Sequence, residues 1–281
     1  MKKIKFAKFV ASGNDFVIIN NFDKKIQAKK YPELAKKLCQ PKFAVGADGL
    51  LVIEPPTKDN CEFKMVYYNS DGSFASMCGN GARCIAYYAY ELELCEEFVN
   101  FETAVGIVSC EIKRNNVVKL KLQDPTQCKF DIVVKLENGK EINADFINTG
   151  VPHTIIFVDD IDKIDVDKLG KEIRYHKVFS PEGTNVDFVK VKDKHTLIVR
   201  TYERGVESET LSCGTGVTAS AIISSIKNFV EPPVKCITKS GEVLKIGFRK
   251  NLPQDLISPV RDVYLEGKVY HVFDGEFFVE N

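Results

Sequence analysis

The stretch Asp71–Cys84, "DGSFASMCGNGARC", puts a cysteine directly before Gly-x-Gly at the mouth of an apolar segment. The same arrangement returns in Glu209–Ser220, "ETLSCGTGVTAS". From Leu211 to Ile226 no residue is charged, and from Ala82 to Tyr90 only Arg83 is. A helix apolar on every side is a buried helix. Its first amides and positive dipole end then point at something inside the protein. Glycines at such a start let a ligand approach the backbone closely. The site suits a carboxylate, and it favours thiolate in a cysteine placed there.

Cys78 and Cys213 lie close to half a chain length apart, each heading such a helix. Around them the pattern reads as strands. "IKFAKFV" and "DFVIIN" are followed by a short helix at "YPELAKKLC", then by "LLVIE" and "EFKMVYY". After the helical stretch "GARCIAYYAYELEL" come "FVNFET", "GIVSCEI" and "VVKLKLQD", with Asn115-Asn116 as a turn. Pro125 in "QDPTQ" marks a boundary. The second part repeats the outline: a hairpin across Glu137-Asn138-Gly139, the strand "HTIIFV", a surface helix at "DVDKLGKEIR", two strands, then Cys213 and its helix to about Asn228. The closing stretch reads as a meander with turns at Glu266-Gly267 and Asp274-Gly275. The expected class is α/β (α+β). Two strand-rich halves, 1–124 and 125–267, each carry one central helix, which suggests duplication of one domain, and the strand at about 268–281 is expected to return to the first.

Two such cysteines suggest one chemistry. If symmetry brings both helix starts to one cleft, a substrate carbon sits between two sulfurs. One sulfur, as thiolate, removes a proton, and the other, as thiol, returns one to the opposite face. The amides stabilise the charge developing on the adjacent carboxylate. That inverts a stereocentre with no cofactor and no metal.

Composition agrees with an enzyme of small molecules. Lys+Arg and Asp+Glu are both 39, which argues against nucleic acid or an anionic membrane as partner. No uncharged run approaches a transmembrane length, and the alternating N-terminus reads as a strand and not a signal peptide, so a cytoplasmic protein is expected. The nine cysteines contain no C-x-x-C, and four scattered histidines make no metal cage. Apart from Cys78 and Cys213, they read as small buried hydrophobes. "GTGVTA" fits the dinucleotide fingerprint in spacing, but it follows polar "ESETLS" and no acidic residue follows it until Glu231. A cysteine hydrolase would need His153 as base and would leave one Cys-Gly-x-Gly idle.

These residues resemble the diaminopimelate epimerase family. "MCGNGARC" and "SCGTG" carry the resemblance, together with "ASGNDFVIIN", "GADGLL", "YYNSDGS", "NTGVPH", "PEGTNVDFV" and "TYERGVESET". Proline racemases share the two-cysteine logic but typically have histidine where this chain has Asn80. The resemblance implies two pseudo-symmetric domains, each a curved mixed sheet wrapped around a central helix, and interconversion of LL- and meso-diaminopimelate in lysine and peptidoglycan precursor synthesis. It implies Cys78 and Cys213 as acid/base residues, with the amides around Gly79, Asn80, Gly214 and Thr215 on the carboxylate beside the reacting carbon. Glu203 would bind the amino group, and His153 would assist. Asn14, Asn69, Asn185 and Arg204 would recognise the substrate, Arg204 pairing with the distal carboxylate. A homodimer is expected for the family. On their own, Asn14 and Asn69 read as turn formers, Glu203 and Arg204 as a solvated pair, His153 as a strand-start histidine and Asn185 as a loop cap. Two departures touch recognition: Val151 stands where many relatives have asparagine, and "RGVESETLS" is one residue longer than the common pattern. They leave room for another amino acid epimerase, such as a histidine racemase, or an amino acid binding protein without turnover.

Overall fold

A computed structural model describes residues 2–251 and 258–279. The chain divides into two compact units, residues 1–120 with 267–281, and residues 121–266.

The first unit opens with a hairpin. β1 (Lys2–Ala11) turns back into β2 (Asn14–Asn20) through Ser12 and Gly13, both at positive φ. That is the two-residue turn whose twist matches a hairpin. A crossover through α1 (Tyr31–Leu38) brings β3 (Gly49–Glu54) parallel to β2, and β4 (Phe63–Asn69) returns antiparallel. The two-residue β5 (Phe74–Ala75) pairs with the end of β4 and delivers the chain to α2 (Gly79–Glu91). β6 (Phe98–Thr103) then lies parallel to β4, followed by β7 (Gly106–Lys113) and β8 (Val117–Lys121) as a meander.

The second unit repeats these pairings one for one. β9 (Thr126–Lys135) and β10 (Glu141–Asn148) form a hairpin, and β11 (Pro152–Phe157) is antiparallel to β10. A crossover through α3 (Val166–Arg174) brings β12 (Asn185–Asp193) parallel to β11, and β13 (Thr196–Glu203) returns antiparallel. The short β14 (Ser208–Thr210) pairs with β13 and leads into α4 (Gly214–Ile226). β15 (Val234–Ile237) is parallel to β13, and β16 (Val243–Lys250) and β17 (Val260–Lys268) complete the run. β18 (Tyr270–Val279) pairs antiparallel with β1.

Each sheet packs one layer inside and one outside. α4 touches strands from β10 to β16, so the sheet must curl around it. Ile222, Ile223, Val217 and Ala219 join Ile155, Leu197 and Leu244 in that inner core. Each fully buried branched side chain contributes roughly 1.5–3 kcal/mol. α3 covers the outer face through Val166 and Ile173 against Val186 and Phe188. α1 does the same in the first unit, through Leu34, Ala35 and Leu38 against Val17, Leu50 and Val52. This fold is the mixed α+β class read from the sequence.

Local readings need two corrections. The turns expected at Glu266-Gly267 and Asp274-Gly275 are absent: β17 runs through the first pair and β18 through the second. Gly275 is a close-approach glycine and not a turn glycine. It lies opposite Phe6, and a Cβ there would come within 2.5 Å of the Phe6 ring. The helix read as far as "ELEL" stops at Glu91, where Glu93 takes a left-handed conformation (φ 56°) and Leu94 N–H turns back to the Ala89 carbonyl. Residues 280 and 281 of the expected closing strand lie outside the described residues.

Candidate active site

Both cysteines are N-cap residues with extended backbones, Cys78 at φ −144° and Cys213 at φ −122°. The first intrahelical bonds are Ala82 N–H to the Cys78 carbonyl (2.8 Å) and Val217 N–H to the Cys213 carbonyl (3.0 Å). Neither helix start has a side-chain cap hydrogen bond. The amides of Gly79, Asn80 and Gly81, and of Gly214, Thr215 and Gly216, therefore precede the helical ladder, the Gly216 amide lying against the Cys213 thiol, and such amides suit an anion.

In the first unit, Cys78 is half-buried, and the first turn of the helix it heads carries a carboxamide network. Asn80 Nδ2 donates to Asn14 Oδ1 (2.7 Å), and Asn14 Nδ2 donates to Asp48 Oδ2 (2.9 Å). Behind them Arg83 is completely buried. Its guanidinium donates to Asn80 Oδ1 (2.6 Å), Ser12 Oγ (2.9 Å) and the Lys268 carbonyl (3.2 Å). Arg83 thus anchors the helix start to the β1–β2 turn. Asn14 belongs to the site network, whereas the Asn69 amide bonds to Ser73 Oγ (3.0 Å) in its own turn, as a turn former does. Tyr67 lies on the strand face that carries Asn69, its ring edge-on to Phe16 at 6.0 Å between centroids. Burial is the main cause pushing its hydroxyl far above the usual tyrosine range, with Cys78 and Asp48 adding to it.

In the second unit, Cys213 is buried and its neighbours are an acid, an imidazole and hydroxyls. His153 is fully enclosed, with Nδ1 2.7 Å from Asp187 Oδ2 and Nε2 2.9 Å from Thr215 Oγ1. The Thr215 hydroxyl lies 3.4 Å from Cys213 Sγ. Thr201 Oγ1 donates to the other Asp187 oxygen at 2.7 Å. Burial pushes the Cys213 thiol well above its ordinary range, and the Glu203 and Asp187 carboxylates push it further. The Thr215 hydroxyl and the Gly216 amide oppose that shift. Burial also raises Glu203, against the Thr210 hydroxyl and His153, which favour its charged form. Asn185 is a structural bridge: Nδ2 donates to the Pro152 carbonyl (2.9 Å), and Oδ1 accepts from the Arg204 amide (2.8 Å). Arg204 donates to the Glu182 carbonyl (3.1 Å). Among the described residues no ion pair joins Glu203 to Arg204, so they are not the solvated pair.

Asp187, Thr201 and Arg83 escaped the sequence reading of the site. The signal for Asp187 was present: one carboxylate inside the apolar run "NVDFV", two residues after Asn185 and hence on its face of the strand. Thr201 carried no such mark. Among the described residues no group of three or more His, Cys, Asp or Glu is placed to hold a metal ion. None of the helices described is long and apolar enough to cross a membrane.

A sequence model of the family described as diaminopimelate epimerase matches residues 6–127 and 146–252. The chain is 43% identical over 285 residues to a diaminopimelate epimerase of Aquifex aeolicus, covering 99% of each chain. It is 41% identical over 284 residues to one of Archaeoglobus fulgidus, covering 97% of this chain and 96% of the other. Among solved structures, a Bacillus anthracis phenazine biosynthesis protein of the PhzF family superposes with TM-score 0.76 at 16% identity, over 99% of this chain and 100% of that one. A hydroxyproline epimerase from Agrobacterium vitis, with trans-4-hydroxy-L-proline bound, gives 0.69 at 14%, over 99% and 91%. At such identities the structures establish the shared fold.

Proposed function

The chain belongs to the diaminopimelate epimerase family, and on that premise we propose that Cys78 and Cys213 are the two acid/base groups of a cofactor-independent isomerase. It interconverts LL- and meso-diaminopimelate, the step that serves lysine and peptidoglycan precursor synthesis. One cysteine, as thiolate, takes the α-proton, while the other, as thiol, protonates the opposite face of the same carbon. Their roles exchange with reaction direction. The observation that carries this reading is the duplicated N-cap cysteine: two buried helices begin with a thiol and with amides that no side chain caps.

The first-turn amides of both helices receive the α-carboxylate and the charge that spreads onto it in the transition state. Glu203 receives the α-ammonium, and His153 supports the Cys213 side. Asn14, Asn69, Asn80, Asn185 and Arg204 complete recognition, with the Arg204 fork on the distal carboxylate. Each unit is one epimerase half and supplies one cysteine. We assign the working protein to the cytoplasm as a homodimer. None of the nine cysteines is in a disulfide, which suits a reducing compartment.

The deciding experiment is proton exchange at the α-carbon in heavy water with reductant present. LL-diaminopimelate and single-centre amino acids, histidine included, are offered separately. Exchange and inversion at one centre of diaminopimelate alone is the expected result. Exchange of a single-centre amino acid without diaminopimelate would overturn the substrate and spare the two-cysteine chemistry. Binding without exchange would overturn both.

A further inference from the structure

We propose that the Thr215 hydroxyl is a proton relay between the Cys213 thiol and His153, and that Asp187 is the residue that positions His153 to receive the proton. The assignment rests on Cys213 being an acid/base group.

The hydrogen bonds run in one direction. A carboxylate only accepts, so Asp187 Oδ2, at 2.7 Å, takes the hydrogen on His153 Nδ1. In a neutral imidazole the other nitrogen then carries the lone pair. Nε2 is 2.9 Å from Thr215 Oγ1, so the threonine hydroxyl donates to it. With its hydrogen committed to Nε2, the Thr215 oxygen offers lone pairs to the Cys213 S–H, 3.4 Å away. The far end is fixed as well. Thr201 donates to Asp187 Oδ1 at 2.7 Å, and Thr149 Oγ1 donates to the Thr215 carbonyl at 3.1 Å. Gly216 leaves room for the carboxylate, since a Cβ there would overlap Asp187 Oδ1.

The step balances within the protein. The Cys213 S–H bond breaks as an O–H bond forms on Thr215, and the electron pair stays on sulfur. The original Thr215 O–H bond breaks as an N–H bond forms on Nε2. Thiol and imidazole become thiolate and imidazolium, with the Asp187 carboxylate against the new cation. The reverse step restores the thiol. Such a path matters because burial and two nearby carboxylates hold the proton on Cys213. A thiol that alternates between acid and base needs a partner that accepts and returns its proton where water does not reach.

The test reads the substrate-free protein. Wild type, Thr215→Val, Thr215→Ser and Asp187→Asn are treated with iodoacetamide at neutral pH, and the Cys213 and Cys78 peptides are quantified by mass spectrometry. T215V is expected to slow Cys213 alkylation by about tenfold, because thiolate is the reacting form. Cys78 in the same molecule keeps its rate, and T215S recovers Cys213 to within about threefold. D187N separates the relay from simple electrostatics. Removing a negative charge near the thiol would by itself speed alkylation, whereas loss of a competent His153 slows it. Nitrogen-15 NMR of His153 shows the Nδ1-protonated tautomer in wild type and in T215V, and loses it in D187N. In turnover, T215V lowers kcat about 100-fold with little change in KM. Wild-type alkylation of Cys213 in T215V, or faster alkylation in D187N, overturns the relay. If D187N does not fold, the T215V and T215S pair decides alone. A wild type that alkylates as expected but leaves diaminopimelate unchanged refutes the substrate and leaves the relay standing.

Discussion

The two Cys-Gly-x-Gly starts share a backbone and differ in almost every neighbour. Cys78 is half-buried, and the helix it heads is held at its first turn by a buried arginine that donates to Asn80. Cys213 is buried beside a carboxylate, an imidazole and a hydroxyl. The duplicated backbone gives two helix starts whose intrahelical bonding begins at the cysteine carbonyl. The side chains are unequal: a hydroxyl, an imidazole and a carboxylate are hydrogen-bonded in line from the Cys213 sulfur, whereas the first helix start is tied through Asn80 to Asn14 and Arg83.

The largest effect tests what is common. Alanine at Cys78 and alanine at Cys213 should each lower kcat/KM for diaminopimelate by at least about 1,000-fold, since each removes one of the two proposed proton-transfer groups. A variant that keeps a tenth of wild-type activity would break the equivalence of the two halves. Next comes the arginine peculiar to the first unit. Arg83→Met leaves Asn80 Oδ1, Ser12 Oγ and the Lys268 carbonyl without their charged donor. A loss of roughly 3 kcal/mol in denaturant unfolding is expected. Arg83→Lys should recover only part of it, because one ammonium lacks the planar fork that reaches three directions.

The second glycines of the two motifs sharpen the contrast. At Gly216 an added methyl would run into Asp187 and crowd Thr201. Gly216→Ala should cost about 1–3 kcal/mol by overpacking and should disturb His153. At Gly81 the methyl would meet Leu51 and Phe16 at 3.4 Å, which is ordinary contact. Gly81→Ala should therefore change thermal stability by less than about 1 kcal/mol, helped by the helix propensity of alanine. Equal destabilisation by the two substitutions would count against the packing difference.

One effect, confined to alkaline pH, is shared by both units. Burial raises Cys39 to about 12 in the first and Cys128 to about 12 in the second, from 9.0 in each case. Between those values the unfolded thiols ionise while the folded ones hold their protons, so the folded state binds more protons and stability falls as pH rises. Tm should be unaffected by these thiols well below pH 9 and should decline between about pH 9 and 12. A Tm that climbs through that window would contradict the assignment.

Much was legible beforehand. "MCGNGARC" and "SCGTG" located both helix starts, and the lack of charge in the second helix announced its burial. Alternation and turn residues placed nearly every strand. The failures share a cause. Asp274-Gly275 and Glu266-Gly267 carry turn chemistry but sit inside strands, because a glycine also serves where a ring from the neighbouring strand comes close, as Phe6 does at Gly275. Asn69 looked like a turn former and is bonded as one. Asn14 looked the same and is instead a member of the Asn80 network. Local sequence could not separate those two cases.

By itself the sequence determined the local states: which segments are helix or strand, which helices are buried, and which two cysteines head them. These follow from periodicity, capping and the cost of burying charge, all of which act over a few residues. Only the tertiary structure decided what each sulfur has for company. His153 meets Asp187 because β11 and β12 pair in one parallel register, and Asp187 meets Thr201 because β12 and β13 place them opposite each other. A shift of one residue would turn those side chains to the other face of the sheet. Register is set by how whole sheets close over α2 and α4, so the side chains around each thiol are a property of the fold and not of any short stretch.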